Sequence, residues 1–571
     1  MRLLPLLAAP AVLLLSSCYP PGDGKAPPVE ELYFPTGLAL DFTPPADGSA
    51  LSDEPVKPRF MYVANSDFDL QYRSASVVSY DLDKLHDILP RNCNVDADCE
   101  VLGGTYVCDA PGAGIETDPA YGPSYFCVVH DKPEPCPFGI RDEADLVLNP
   151  GRCESINPIK ENLVVGAVGI GAFATDVIWR ANPNPDAAYP SRLFVPVRGD
   201  STLHWIDIKR VKPDGNPDEH MFECGQNSSE DQTCDPKHRA GDNPDDNSHE
   251  LTQPPEPYAV DATSDGAFVA LTNQTSGSVS LFANGDSNGD WSPDGPKLVD
   301  ILKGLPLAPV AIAALPEPEF ADTTQTQEAG FLVAYRTAAQ VDLLRVHSAP
   351  TVTGPLGDYT RYTLRVAGSA PINANSLGFD SRGITIDDAQ RQQDYEHCRT
   401  DSAVTDLATC LRSAHQPAVY VASRAPASLL VGAMTTDLGY RAGTSELPSF
   451  TDSVSLTAGA SRVILGQVKV PGTKYPADEH GPYDLEQRVF ILCFDSRRIF
   501  VYDPKRRVIE AIVSTGRGPY PLAIDSARGL AYLGHFTDSY LGVISLDQRF
   551  PKSYAAIVAS IGTPKAPRSS K

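Results

Sequence analysis

Between Arg488 and Gly562 the chain writes one pattern of four short strands nearly twice. RVFILCFDSRRIFVYDPKRRVIEAIVSTGRGPYPLAID is followed by LAYLGHFTDSYLGVISLDQ and then by SYAAIVASIG. Weaker copies extend back to Tyr33. A sheet this small cannot build a core alone, so its copies must pack face to face. A four-strand unit repeated around an axis is a propeller blade. The 571 residues are too many for one ordinary core but suit a radial array of small sheets. The sequence thus predicts an all-β chain: a single β-propeller of seven four-stranded blades over residues 32–564, with a Cys-rich insertion in the first.

We call the strands of a blade a to d, from the channel outward. Strand a follows a Pro-x-Gly/Ala signal, and b ends in a run like Tyr-Val-Ala-Asn. Blade one reads PTGLALDF from Pro35, FMYVANSD from Phe60 and SVVSYDL from Ser76. Blade two reads GAFATDVIW from Gly171, RLFVPVRGD from Arg192 and TLHWIDI from Thr202. Blade three is compact from Pro257, and blade four uses segments at Pro309, Gly330 and Val341. Blade five takes NSLGFDS from Asn375, AVYVASR from Ala418 and SLLVGAM from Ser428, and SRVILGQV at Ser461 opens blade six. Alternating apolar and polar residues support strands throughout. Blade one begins with its own a strand and blade seven ends with its own d strand, so closure is expected from packing, with no exchanged terminal strand.

The insertions are as informative as the repeats. A six-Cys block (residues 87–158) follows strand c of blade one. An acidic stretch from Lys209 to Gln253 follows strand c of blade two, and ANGDSNGDWSPDGPK follows strand c of blade three. Others lie near Asp322, Cys398 and Lys474, between strands a and b of blades four to six. Strands alternate in direction, so a–b and c–d connections share one face. All long insertions are therefore expected on that face, where loops on a rigid scaffold serve binding.

The N-terminus speaks to compartment. Met1-Arg2 precedes an apolar run from Leu3 to Leu15, too short to span a bilayer, and then Leu15-Ser16-Ser17-Cys18. That ending resembles the bacterial lipobox. The resemblance implies a signal peptide at residues 1–17, lipidation of Cys18 and, because Tyr19 follows, sorting to the outer membrane with either a periplasmic or a surface face. Residues 18–31 read as a flexible tether and residues 565–571 as a disordered tail. Cysteine usage suits an oxidising compartment. Cys93, Cys99, Cys108, Cys127, Cys136 and Cys153 cluster with open connectivity, while Cys224/Cys234 and Cys398/Cys410 are neighbouring candidates for disulfides. Cys493, inside VFILCFD, reads as a buried free thiol. The formal net charge of −26 repels phosphate backbones, so nucleic acid is not an expected partner.

The runs YVANSD and GRGPYPLAIDSARGLAYLGH resemble the YVTN-type β-propeller repeat of bacterial envelope proteins, in degenerate form. That family shares a fold and a repeat, not one chemistry, so the resemblance implies an envelope propeller and leaves the activity open.

Candidate chemistry is sparse. Arg198, Arg336 and Arg424 close b strands at nearly one repeat position, with His535 one position earlier. Round a channel mouth they would suit an anion, with solvated turn residues as the plainer alternative. Asp286, Asn288, Asp290 and Asp294 alternate like calcium-loop donors, but Trp291 and Lys297 break the EF-hand pattern. Asp96 and Asp98 raise the same question more weakly. His220, His238 and His249 share an acidic insert and read as solvated. Trp179 and Trp205 read as packing. No Gly-x-Ser-x-Gly elbow, His-Glu-x-x-His pair, Cys-x-x-Cys-His site or phosphate loop occurs in the sequence.

The resulting expectation is a lipid-anchored envelope propeller, monomeric, acting as a non-catalytic binding or scaffold module for an envelope protein or glycan. No cofactor is expected beyond a candidate calcium ion. The alternatives are a lactonase- or dehydrogenase-like propeller enzyme using a metal or cofactor at the central channel, and a purely structural envelope component.

Overall fold

In the computed structural model the inner strands stand round a central channel, and each blade descends outward from one of them. The structure describes residues 25–42, 55–102, 106–109, 126–129, 155–184, 189–211, 219–225, 232–285, 291–349, 352–372, 380–434, 447–478 and 481–563, apart from positions 29, 90, 248, 321, 323–326, 355–356 and 552. Seven antiparallel blades are present, each with a spatial strand order that follows the chain. The a strands are Pro35–Leu40, Ile178–Ala181, Pro257–Ala262, Pro309–Ala314, Ser381–Asp387, Arg462–Asp478 and Pro519–Asp525.

Burial explains why strands b and c are richer in apolar residues than simple alternation requires. Phe60–Asn65 and Tyr540–Ser545 are buried at every position, because a neighbouring blade covers each face of the sheet. Along Phe60–Asn65 the period of two divides the side chains between two cores. Met61 and Val63 join the core shared with blade seven, while Phe60, Tyr62 and Ala64 join the core shared with blade two. The pattern continues round the ring, with one apolar cluster at each of the seven blade interfaces.

The Pro-x-Gly signal has a local meaning. Five a strands open with a register shift, between Pro35/Gly37, Pro257/Val260, Pro309/Ala311, Ser381/Gly383 and Pro519/Leu522. The bulge turns the chain into the channel wall, where backbones come very close. A Cβ on Gly37 would lie 2.4 Å from the Val177 nitrogen of the next blade, so no side chain fits there.

Two blades depart from expectation. In blade five, strand a is Ser381–Asp387, later than the NSLGFDS run from Asn375, most of which lies outside the described residues. The β-branched segment Gly383–Ile386 pairs with strand b instead. In blade two, strand a begins at Ile178, although Ala174 makes an isolated bridge to Val197. Its d strand, Glu219–Glu223, lies inside the stretch read as an insertion and pairs with the far end of strand c. Arg239–Ala240 continues that edge against His204 and Leu203. The Cys224–Cys234 disulfide between them thus sits at the outer edge of the blade, and the expectation of a single decorated face fails there. Apolar surface accounts for its place: Phe222, Cys224 and Cys234 fill the core between blades one and two.

Closure follows the expected route. Blades one and seven each use four strands of their own, and their facing sheets share a core containing Leu38, Val63, Tyr532 and Val543. The Cys-rich insertion strengthens this join. The helix that leads into it, Leu82–Ile88, capped by the Asp81 carboxylate on the Asp83 and Lys84 N–H groups, buries Leu82 and Leu85 in that core. At the other end of the insertion, the Ile156 N–H donates to the Ser560 carbonyl, and the Gly562 N–H donates to the Ile156 carbonyl. Asn92 Nδ2 bonds Ser545 Oγ at 3.2 Å, and Asn94 Nδ2 bonds the Arg549 carbonyl at 2.9 Å. Disulfides Cys93–Cys108 and Cys99–Cys127 hold the segment that carries both asparagines. Cys136 and Cys153 lie outside the described residues.

Replacing the Cys99–Cys127 bridge by serines removes a constraint worth about 3.6 kcal/mol in the chain-entropy account. The expected outcome is faster amide exchange in Ile557–Ile561 than in the d strand of blade three, read by hydrogen-exchange mass spectrometry. Equal protection in both would show that the insertion does not clasp the ring.

Candidate functional site

Most b–c and d–a turns are short, residues 241–256 being the long exception, and they leave a funnel of about 220 Å³ over the channel. Its wall has two chemistries. Phe68, Phe173, Phe494 and Phe536 line one part, with the Phe68 and Phe536 rings 5.3 Å apart and Phe68 and Phe173 6.2 Å apart. Arg198, Arg382 and Arg424 line another.

These cations are not idle. Arg198 pairs with Glu256 at 2.9 Å, Arg336 with Asp380 at 3.5 Å and Arg424 with Asp495 at 2.5 Å. In every case the acid belongs to the next blade or its leading turn, so the repeated arginine stitches neighbouring turns together. Asp380 also takes Arg382 at 2.6 Å. His535, the fourth residue of the expected anion set, is fully buried. Its ring stacks on Tyr540 at 4.0 Å, and its Nε2 accepts the Gly516 N–H. Desolvation holds its imidazole down at about 3, so it stays neutral.

A polar cluster that the sequence reading missed closes the funnel floor. Asp176 of blade two reaches across the channel to Arg462 of blade six, with Oδ2 2.6 Å from Nη2. The Arg462 guanidinium stands 5.4 Å from the Tyr520 ring, and the Tyr520 hydroxyl meets that of Tyr258 at 3.2 Å. Desolvation pushes the Asp176 carboxyl up, opposed by the Arg462 charge, while burial and Tyr258 push the Tyr520 phenol up. A repeat-position signal could have found much of this cluster. Thr36, Tyr258, Arg382 and Tyr520 each follow the Pro or Ser that opens an a strand, the x of the Pro-x-Gly signal, and Arg462 follows Ser461 as the first residue of its own a strand. At Thr36, Tyr258, Arg382 and Tyr520 the bulge turns that one residue toward the funnel, whereas Arg462 stands at a strand start that has no such bulge.

On the opposite face three insertions form solid structure. Strands a and b of blade six extend as a long hairpin, Arg462–Asp478 with Gly481–Cys493, in place of the loop expected near Lys474. Its tip stacks Tyr475 on Tyr483, with rings 5.3 Å apart. Arg549, in the c–d connection of blade seven, fastens the hairpin through Asp478 at 2.8 Å and the Gly481 carbonyl at 2.6 Å. The same residue's carbonyl receives Asn94 of the Cys-rich insertion, so blades six, seven and one share one platform. In blade five the a–b insertion holds the helices Ala389–Thr400 and Leu407–Ser413, joined by Cys398–Cys410.

The remaining candidates disperse. Asp286, Asn288 and Asp290 lie outside the described residues; Asp294 is exposed, and its N–H donates to Ser292 Oγ. Asp96 and Asp98 accept N–H groups of Cys108 and of Asn94 and Val95 within the disulfide-bound insertion. His220 packs among Phe60, Tyr62 and Phe222, whereas His238 stacks on Trp205 at 3.7 Å. The two do not converge. Cys493 is buried and free, its thiol pushed up to about 12 by desolvation. Among the described residues no helix is long and apolar enough to cross a membrane.

No protein-family model and no curated protein matches this chain. Similar solved structures include hydrazine synthase of Kuenenia stuttgartiensis, at 8% identity over 90% of this chain and 96% of that chain, TM-score 0.35. A putative 6-phosphogluconolactonase of Bacteroides uniformis matches at 10% identity over 85% of this chain and 86% of that one, TM-score 0.36. A functionally unknown protein of Desulfotomaculum acetoxidans matches at 12% identity over 71% and 92%, TM-score 0.37. At these identities and scores the likenesses assign neither activity nor ligand.

Three variants test the site's electrostatics. Arg462→Leu strands the Asp176 carboxylate and should cost about 3 kcal/mol in chemical denaturation, with Asp176→Asn added to it recovering more than half. His535 sets an acid limit. Unfolded, its imidazole takes a proton near 6.5, but folded only near 3, so the unfolded state binds more protons between those values. Its contribution is complete above pH 6.5 and declines as pH falls, by about 3 kcal/mol at pH 4. His535→Gln should flatten the fall in denaturation midpoint between pH 7 and pH 4; an unchanged slope would remove His535 from the account.

Proposed function

We propose that this chain is a lipid-anchored, non-catalytic binding propeller of the bacterial envelope. Acylated Cys18 tethers it, and the decorated face meets an envelope protein or glycan. One observation carries the reading: the platform around Arg549 is braced by disulfides, ion pairs and a paired hairpin, so it presents fixed side chains at low entropic cost. Tyr475 and Lys474 at the hairpin tip, and Val95 on the insertion, are accessible groups on that face. The buried, high-pKa thiol of Cys493 and the neutral, enclosed His535 do not serve as nucleophile or base.

A second reading has one observation in its favour. Asp176, Arg462, Tyr258 and Tyr520 converge on the channel, the arrangement a propeller enzyme would need.

Photo-crosslinking amino acids at Tyr475 and Val95 should yield partner adducts in intact cells, and Leu307 on the funnel face should yield no protein adduct. Adducts from Leu307 alone, or a purified chain carrying stoichiometric metal that Asp176→Asn releases, would move the assignment to the funnel.

A further inference from the structure

The chain enters the propeller on the funnel face. Lys25 makes a parallel bridge to Tyr72 in the b–c turn of blade one, with the Arg73 N–H donating to the Lys25 carbonyl at 3.2 Å. The Phe34 N–H then donates to Ser539 Oγ in the b–c turn of blade seven, before strand a begins. The first described residue is therefore pinned beside the funnel, on the side away from the Arg549 platform. Cys18 lies seven residues upstream, a reach of about 25 Å even when fully extended.

Large apolar side chains stand exposed on that same face. Phe68 is 53% exposed, Leu70 61% and Leu307 61%. Phe68 and Leu70 belong to the turn that holds Lys25, and Leu307 belongs to the connection between blades three and four. Phe68 stands at the edge of an aromatic group that includes Phe34 and Phe536, with ring separations of 6.1 and 5.3 Å.

We infer that the funnel face docks on the lipid bilayer surface, its mouth turned toward the membrane and its disulfide-braced platform turned away. This rests on the anchor at Cys18 proposed above. The short tether selects the occupant. A folded domain of 100 residues has a radius of gyration of about 13 Å, so it does not fit between this face and a bilayer about 25 Å away. Phe, Leu and aromatic rims suit the interfacial zone of lipid, where apolar area leaves water. Charge selects the kind of contact. The net charge is −26, and Arg198, Arg336 and Arg424 already carry carboxylate partners, so the docking is apolar and does not depend on anionic headgroups.

Phe68→Trp and Leu307→Trp place a reporter on the docking face, and Leu407→Trp places one on the opposite face. Each full-length protein is bound to zwitterionic phosphatidylcholine vesicles containing brominated lipid. It is attached in one series by its native acyl group and in another by an N-terminal histidine tag, with Cys18→Ser, on a nickel-chelating lipid. The added fluorescence of Phe68→Trp and Leu307→Trp should fall at least twofold, with that of Leu407→Trp unchanged and 20% anionic lipid giving no increase. Absence of quenching at both funnel-face positions in the tag-anchored protein, or quenching at Leu407→Trp, overturns the docking. Mass spectrometry of Cys18 tests the anchor separately: quenching without an acyl group at Cys18 refutes the anchor and leaves the face assignment standing.

Discussion

Everything in this molecule depends on blades packing face to face round a closed ring. Each blade sheet is too small to bury one face against itself, so strands b and c give alternate side chains to two different neighbours. Met61 and Tyr62 are adjacent in sequence but belong to separate cores. A ring of such interfaces is stable only if the last one closes as well as the others. Here it closes without an exchanged strand, and the insertion of blade one supplies what exchange would have supplied. A segment that looks like decoration is thus part of the scaffold's integrity.

The same packing divides the two faces. At the funnel face most a strands enter through bulges packed so closely that a Cβ on Gly37 would lie 2.4 Å from the Val177 nitrogen. Neighbouring turns there are stitched by the Arg198, Arg336 and Arg424 ion pairs, which leaves little room for insertion. These pairs are partly exposed, so each contributes little to stability, and their effect is to set the spacing of the turns. On the other face long insertions fit, and Arg549 joins two of them into one surface. The funnel floor is different again: Asp176 and Arg462 are largely shielded from water, burial pushes the Asp176 carboxyl up, and the Arg462 charge beside it opposes that shift.

Much of this was legible in the sequence. The repeat gave the blade number and most strands, cysteine neighbours gave two of the disulfides, and Cys493 was placed correctly in a buried strand. The errors share one cause. NSLGFDS and GAFATDVIW resemble the repeat, whereas pairing is decided by which segment reaches the neighbouring strand with its apolar side chains in register. The d strand of blade two was concealed in an acidic stretch because just Phe222, Cys224 and Cys234 face the core there.

By itself the sequence determined the architecture, because period-two apolar patterning and turn spacing are local properties that any copy of the repeat displays. It also determined the chemistry of the cysteines through their spacing. Tertiary structure alone decided which residues meet in the channel. Asp176 and Arg462 are 286 positions apart and touch because the ring brings blades two and six to opposite sides of one narrow axis. Tertiary structure likewise decided that His535 is sealed against Tyr540 while Arg198 and Arg424, near its repeat position, reach the mouth. One residue of offset along a strand turns a side chain to the other face of its sheet, from the turn and the water beyond it to the core between two blades.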